Sequence, residues 1–305
     1  MTAIASKSKK KMTESKPKVW TVPQVILMLV ILLFSLTCLL PFVNVAAVSF
    51  SSKSAILRGD VSFWPVEFET TAYSAIFSDP SMIHSLVFTV EITVGYTLFS
   101  MILTILMAYP LTKKRLHGRK FFNFLALFTM YFSGGTIPIY LNIKELGLLD
   151  SPWALILPGM LSTYNMIILK SFFSALPNEL EEAAIIDGAT DFQVLLRVYL
   201  PLSMASLATL TLFYAVGKWN SFQDALYYIS TKAFQPLQLK LYHIIKGSQA
   251  VDVAAMEGGA STVATSVSES IEPATIIFAT LPILVVYPFV QRYFVAGVTI
   301  GAVKG

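Results

Sequence analysis

Charged and hydrogen-bonding side chains are sparse in this chain, so the few stretches that concentrate them decide what chemistry it can do. One long polar patch lies between two strongly apolar segments: Glu182-Ala183-Ala184-Ile185-Ile186-Asp187-Gly188, followed by Val198-Tyr199-Leu200-Pro201. Pro177 suits the first turn of a helix, and Asn178 can cap it with Glu181 three positions on. Glu179, Glu181 and Glu182 put negative charge at the positive end of the helix dipole. At helical spacing Leu180, Ala183 and Ala184 share a face, where two alanines let another backbone or a partner surface come close. Gly188 then stops the helix, because glycine adopts the left-handed conformation that other residues resist, and Thr190 with Gln193 forms a second capping box. The expected product is helix, tight turn, helix. Its chemistry is docking, not bond-making.

Other chemistries find little support. No phosphate-cradling glycine loop followed by lysine occurs, so this chain is not expected to bind ATP. No nucleophile and base arrangement stands out. Cys38 is the single cysteine, which excludes an internal disulfide, and His84, His117 and His243 are scattered without ligand spacing, so no metal site is expected.

The elements that must position the docking loop are membrane spans. The 305 residues are 55% hydrophobic and only 13% charged, with a mean hydropathy of +0.67, far too apolar for a soluble domain of this length. The net charge of +4 is small, and the placement of its cations reports orientation in a bilayer, not nucleic-acid binding. Residues 1–20 are a lysine-rich polar tail, Val25 to Phe50 a retained first span, and 51–80 an external segment whose aromatic residues suit a membrane surface. The second span, Met82 to Leu111, contains Glu91, which must face the protein interior or water. The basic run from Lys113 to Lys120 is expected to be a topology anchor in the cytoplasm. The third span, Phe121 to Leu141, holds Ser133-Gly134-Gly135-Thr136 and Pro138, which permit close packing or irregular backbone. The fourth runs from Ser151 to Phe173, the fifth from Leu202 to Gln223, and the sixth, kinked by Pro282 and Pro288, from Pro273 to Phe294. Residues 224–270 are expected to be a flexible external loop.

Six spans put both termini on one side. The basic tail and turn choose the cytoplasm, so the loop at 174–201 is cytoplasmic by count. The expected fold is therefore an all-α integral membrane protein with six transmembrane helices. It comprises a tail (1–20), a first helix with an external segment (21–80), a core of five helices (81–296) and a cytoplasmic tail (297–305).

The spacing of Glu182, Ala183, Ala184, Gly188, Leu200 and Pro201 resembles the cytoplasmic signature loop of ABC transporter permeases of the binding-protein-dependent import type, with Val198 where isoleucine is more usual. Further matches extend the resemblance to the carbohydrate branch of that family, both maltose-type and complex-oligosaccharide permeases. They are Ala108-Tyr109-Pro110-Leu111, Phe132 to Pro138, Leu146 to Asp150, Pro236-Leu237-Gln238-Leu239 and the C-terminal stretch from Tyr287. The resemblance implies the type I ABC importer permease fold and a transport subunit, not an enzyme, in a bacterial cell membrane. It also implies a second permease subunit, a cytoplasmic ATPase dimer that uses ATP and Mg, an external sugar-binding protein and a carbohydrate substrate, with lipid around the spans. Sugar pathways combine polar groups with aromatic faces, and the candidates within or beside spans are Glu91, Tyr131, Tyr164, Asn165, Tyr214, Lys218, Trp219 and Asn220. The competing account of these residues is hydrogen bonding between neighbouring helices. Lys218 could meet an acidic sugar or Glu91. The rival functions are a stand-alone secondary transporter or channel, which has no use for the docking loop, and a membrane-embedded enzyme or scaffold.

Overall fold

In the computed structural model the backbone is described over residues 21–256 and 265–302, and side chains over 21–247 and 270–288. The expected N-terminal tail and the Glu257 to Thr262 group lie outside the described residues. Every described regular element is helical, with one isolated bridge between Ser51 and Phe68.

Helix α1 (Val22–Ser49) is apolar on all sides, and between Val25 and Val43 its large side chains lie bare on the chain's surface, as a lipid-facing span requires. Its C-terminal end meets the segment at 51–80, which contains α2 (Lys53–Leu57) and α3 (Thr71–Ser78). Phe50 stacks on Phe68 and Tyr73 there. Hydrogen bonds from Ser52, Ser54 and Arg58 hold the Glu67 carboxyl down to about 2. Trp64 and Phe63 stand exposed, in keeping with a segment at a membrane surface.

Asp79 caps α4 (Pro80–Thr112) by accepting from the Ser81 N–H at 2.8 Å. At helical spacing Ser85, Thr89, Thr93, Thr97, Ser100 and Thr104 form a buried stripe of small polar residues along α4. Small side chains let helices approach closely where no hydrophobic force drives association.

The third expected span is two helices: α5 (Arg119–Tyr131) and α6 (Thr136–Glu145) bend by 113° across Phe132 to Gly135. Gly135 sits at φ +85°, which only glycine adopts cheaply, and Pro138 cannot donate to a continued ladder. The fourth is likewise split into α7 (Pro152–Ile156) and α8 (Thr163–Ser174), because Pro158 lacks an N–H and Gly159 turns at φ +75°. The docking region follows as α9 (Asn178–Ile186), α10 (Asp191–Val194), a π turn (Leu195–Tyr199) and α11 (Leu200–Leu202). An 84° bend then leads into α12 (Met204–Trp219). Among the described residues three helices are long and apolar enough to cross a membrane (α1, α4 and Ser270–Pro288), or up to five if each bent pair is one span.

Most of the expected flexible loop at 224–270 is helical. It contains α13 (Gln223–Tyr228), a 3-10 turn (Lys232–Phe234) and α14 (Leu237–Met256). Leu237 and Leu239 are fully buried, and the Leu237 N–H donates to Thr89 Oγ1 at 2.8 Å. Polar composition had suggested flexibility; packing against α4 and α15 (Thr265–Ala302) overrides it. The last helix runs through Pro273, Pro282 and Pro288 and continues to Ala302, so most of the tail expected at 297–305 is helical as well.

The loops after α6 and α13 are joined by Asp150, held at φ +57°. Its carboxylate accepts from the Ser230 and Thr231 N–H groups at 2.9 and 2.8 Å and from the Thr231 hydroxyl, while its own N–H donates to Tyr228 O at 2.8 Å. These donors push the carboxyl below its usual range. Asp150→Ala removes three acceptor contacts, and we expect faster proteolysis at 146–150 and 229–235, while Asp150→Asn retains part of the clamp.

Candidate functional site

The two-helix element stands on a buried ionic base. Lys113, the first residue after α4, donates to Glu181 Oε2 on α9 at 2.6 Å and to the Tyr199 hydroxyl at 3.0 Å. Tyr199 donates to the same carboxylate oxygen at 2.7 Å. The ammonium lies over the Tyr109 and Tyr199 rings, 4.2 and 4.1 Å from their centroids. Beneath it Tyr109, Phe173 and Tyr199 meet edge to face, Phe173 being fully buried. Side-chain exposure is only 10% for Lys113 and 16% for Glu181, so the pair is bound well out of water. Burial alone would raise the Glu181 carboxyl, but the bonds from Lys113 and Tyr199 outweigh it and hold the group below its usual value. Burial lowers the Lys113 ammonium, and Glu181 opposes that shift. The geometry of the two short bonds supports the ionised pair.

This base corrects the sequence reading twice. Pro177 occupies the capping position and α9 begins at Asn178 with no side-chain cap, because proline offers neither a side-chain acceptor nor an N–H, and Glu181 is engaged by Lys113. Lys113 is a structural partner of the docking element as well as part of a basic turn. The glycine stop and the second capping box hold, whereas Leu180, Ala183 and Ala184 divide between an exposed side and the core. Gly188 lies at φ +83° with open space around a notional Cβ, so backbone conformation alone selects glycine there. Thr190 N–H donates to Gln193 Oε1 at 2.9 Å and Gln193 N–H to Thr190 Oγ1 at 3.4 Å, a reciprocal capping box.

Among the signature positions, Ala184 and Leu200 pack against the aromatic core, while Glu182, Ala183 and Pro201 are exposed. Beside them Leu180, Ile185, Ile186, Phe192 and Leu196 are also exposed, Ile186 by 85%. The element thus has an inner face bound to the spans and an outer apolar face that no described residue covers.

The second group of candidate residues does not form one site. Tyr214 is buried, shares a 2.7 Å hydrogen bond with Thr104 across α4 and α12, and accepts from the Ser162 N–H at 3.2 Å. Asn165 is buried in α8. Trp219 donates from Nε1 to Ala279 O at 3.2 Å, tying α12 to α15. Lys218 is buried, pairs with Asp224 Oδ2 at 3.1 Å and lies 5.0 Å from the Tyr96 ring centroid. Its partner is Asp224 and not Glu91, which lies exposed on the surface of α4. Tyr131, Tyr164 and Asn220 are exposed as well. Four of the eight candidates therefore bind neighbouring elements or lie among them, and four face outward.

No protein-family model matches the chain. Its sequence is 42% identical over 275 residues to a Bacillus subtilis (strain 168) protein described as the polygalacturonan/rhamnogalacturonan transport system permease protein YtcP, covering 90% of this chain and 96% of the relative. The chain belongs to the carbohydrate ABC transporter permeases. A Thermococcus litoralis trehalose/maltose transport system permease, MalG, is 27% identical over 292 residues, covering 92% of this permease and 97% of the relative. Among solved structures, a chain of a bacterial ABC transporter involved in the import of the acidic polysaccharide alginate superposes with a TM-score of 0.80 at 32% identity. That match covers 91% of this permease and all of the other chain. The permease is thus an all-α integral membrane protein with an ABC importer permease fold, a transport subunit by family.

Proposed function

We propose that this permease forms half of the transmembrane pathway of an ATP-driven importer for an acidic oligosaccharide, and that α9 to α11 dock on the ATPase. The observation that carries the reading is the outer apolar face around Ile186 and Phe192, rigidly based on Lys113 and Glu181 yet covered by none of the described residues. Such a patch on a polar surface marks a protein contact. ATP and Mg act in the partner ATPase dimer, an external sugar-binding protein delivers substrate, and a second, different permease completes the path. The basic turn after α4 supports a cytoplasmic position for the docking element and both termini. An acidic substrate is supported by two relatives, a polygalacturonan/rhamnogalacturonan transport permease and a chain of a transporter involved in the import of the acidic polysaccharide alginate.

The test compares wild type with Glu182→Lys, Ile186→Asp and Gly188→Asp after detergent solubilisation. Removing one anchor of a protein contact costs ~2 kcal/mol or more, so ATPase recovery and ATP-dependent uptake should fall at least ~10-fold while the permease stays folded in the membrane. Wild type that recovers no ATPase and transports without ATP would mean a stand-alone transporter.

A further inference from the structure

Beside the docking element, a groove of about 530 Å³ opens where α4 ends; it shares Lys113 with the ionic base and Phe192 with the docking face, while its remaining apolar wall, Arg115 and His117 have no role above. Its walls change character along its length. Leu106, Pro110 and Leu195 line it with hydrocarbon, and Arg115 and His117 stand where the chain leaves the helix. From Leu106 to Lys113 is about 10 Å along the helix axis. Leu98 and Ile102 continue the same exposed face of α4 at four-residue spacing, which extends the apolar track to about 22 Å below Lys113. That is about the depth of one leaflet with its headgroup region, half of a ~40–45 Å bilayer.

The turn above the groove has one sign of charge in excess. It supplies Lys113, Lys114, Arg115, Arg119 and Lys120, of which Lys113 and Arg115 line the groove, and the acids bound to them are Glu181 and Asp191, so the turn as a whole keeps a surplus of three positive charges. The Arg115–Asp191 pair is more than half exposed on both sides, so the guanidinium keeps donors free for a further anion. An acyl-length apolar track ending in surplus cations at the membrane boundary matches an amphiphile with an anionic head, and does not match a soluble anion or a neutral lipid.

We propose that this groove binds an anionic phospholipid of the leaflet on the docking-element side, its phosphate at Arg115 and His117 and one acyl chain along Leu106, Ile102 and Leu98. The wall contributed by α10 and the π turn, through Asp191, Phe192 and Leu195, makes the bound lipid a wedge between α4 and the docking element. Lipid composition then bears on how firmly that element is held. The site does not depend on the substrate assigned above.

The experiment uses the full chain in its native membrane assembly, reconstituted in phosphatidylcholine nanodiscs with increasing phosphatidylglycerol, and counts phosphatidylglycerol retained per permease by native mass spectrometry. Wild type should hold phosphatidylglycerol about 10-fold more tightly than phosphatidylcholine. Arg115→Gln with His117→Gln should remove that preference, and Leu106→Trp, which fills the track and leaves every charge in place, should weaken retention by a similar factor. An unchanged elution profile in size exclusion shows that each variant is folded. Equal retention of both lipids by wild type, or full retention by Leu106→Trp, overturns the proposal. Complete displacement by soluble glycerol phosphate overturns it in favour of a free-phosphate site, and loss of the lipid whenever an ATPase is bound overturns it in favour of a protein contact.

Discussion

Lys113→Met should uncouple the permease while leaving its spans assembled. The methionine keeps much of the apolar stem against Tyr109 and Tyr199 but leaves the Glu181 carboxylate, only 16% exposed, without its cation. Breaking a buried pair from one side costs ~3–5 kcal/mol, because the remaining charge stays desolvated. That penalty falls on the contact between α4 and α9, so the docking element should detach locally before the protein unfolds. Expected results are faster proteolysis in 177–190 and an ATP-dependent uptake reduced ~10-fold or more, with the chain still extracted as a folded membrane protein. Lys113→Met with Glu181→Gln should recover part of the loss, since no uncompensated charge remains. Tyr199→Phe removes one hydrogen bond to a charged group and should cost only ~1.5–3 kcal/mol. The pH dependence has a definite sign. The Glu181 carboxyl is depressed in the folded state, so its contribution is complete above the ordinary carboxylate range and drains away as pH falls through the lowered value. Proteolysis of wild type at 177–190 should rise only under acid conditions and that of the double variant should not. Uptake by Lys113→Met equal to wild type would sink the role of the ionic base.

How much of this was legible beforehand depends on the reach of each interaction. Gly188 and the Thr190–Gln193 box are local: the left-handed turn and the reciprocal cap involve residues within a few positions, and sequence spacing specifies them. Hydropathy likewise finds α1 and α4, whose apolar runs are unbroken. It fails at α5 and α6, since Ser133-Gly134-Gly135 is compatible with a closely packed continuous helix and with a sharp bend; the sequence alone contains no term that chooses. The π turn at Leu195–Tyr199 was equally invisible. Long-range pairing was the larger blind spot. Lys113 lies 68 residues from Glu181, and a cation in a basic run gives no sign that it alone turns inward. Asp150 and Thr231, 81 residues apart, were missed for the same reason, and with them the order of the external region. Burial reassigns several path candidates: Tyr214 and Trp219 spend their polar atoms on Thr104, Ser162 and Ala279, as helix-bonding residues do.

Lys218 is the candidate where a structural and a substrate role make opposite predictions. Its side chain is 7% exposed, while that of Asp224, its partner at 3.1 Å, is 42% exposed. The pair is therefore unequal. Asp224→Asn leaves an ammonium buried among Thr93, Leu155 and Ala225 with a weaker acceptor, and should cost ~3–5 kcal/mol. Lys218→Met leaves a carboxylate that water already reaches and that still accepts from Ser221 at 3.3 Å, so its cost should stay near ~1 kcal/mol. The double variant should lie closer to Lys218→Met than to Asp224→Asn, a coupling of ~2 kcal/mol or more in a double-mutant cycle read from thermal stability in detergent. If Lys218 served instead to attract an acidic sugar, Lys218→Met would lose uptake of charged oligosaccharides selectively, neutral ones being unaffected, with no loss of stability. Equal destabilisation by both single variants would contradict the burial asymmetry. The order Asp224→Asn far worse than Lys218→Met, with uptake tracking stability, assigns this cation to holding α12 against α13.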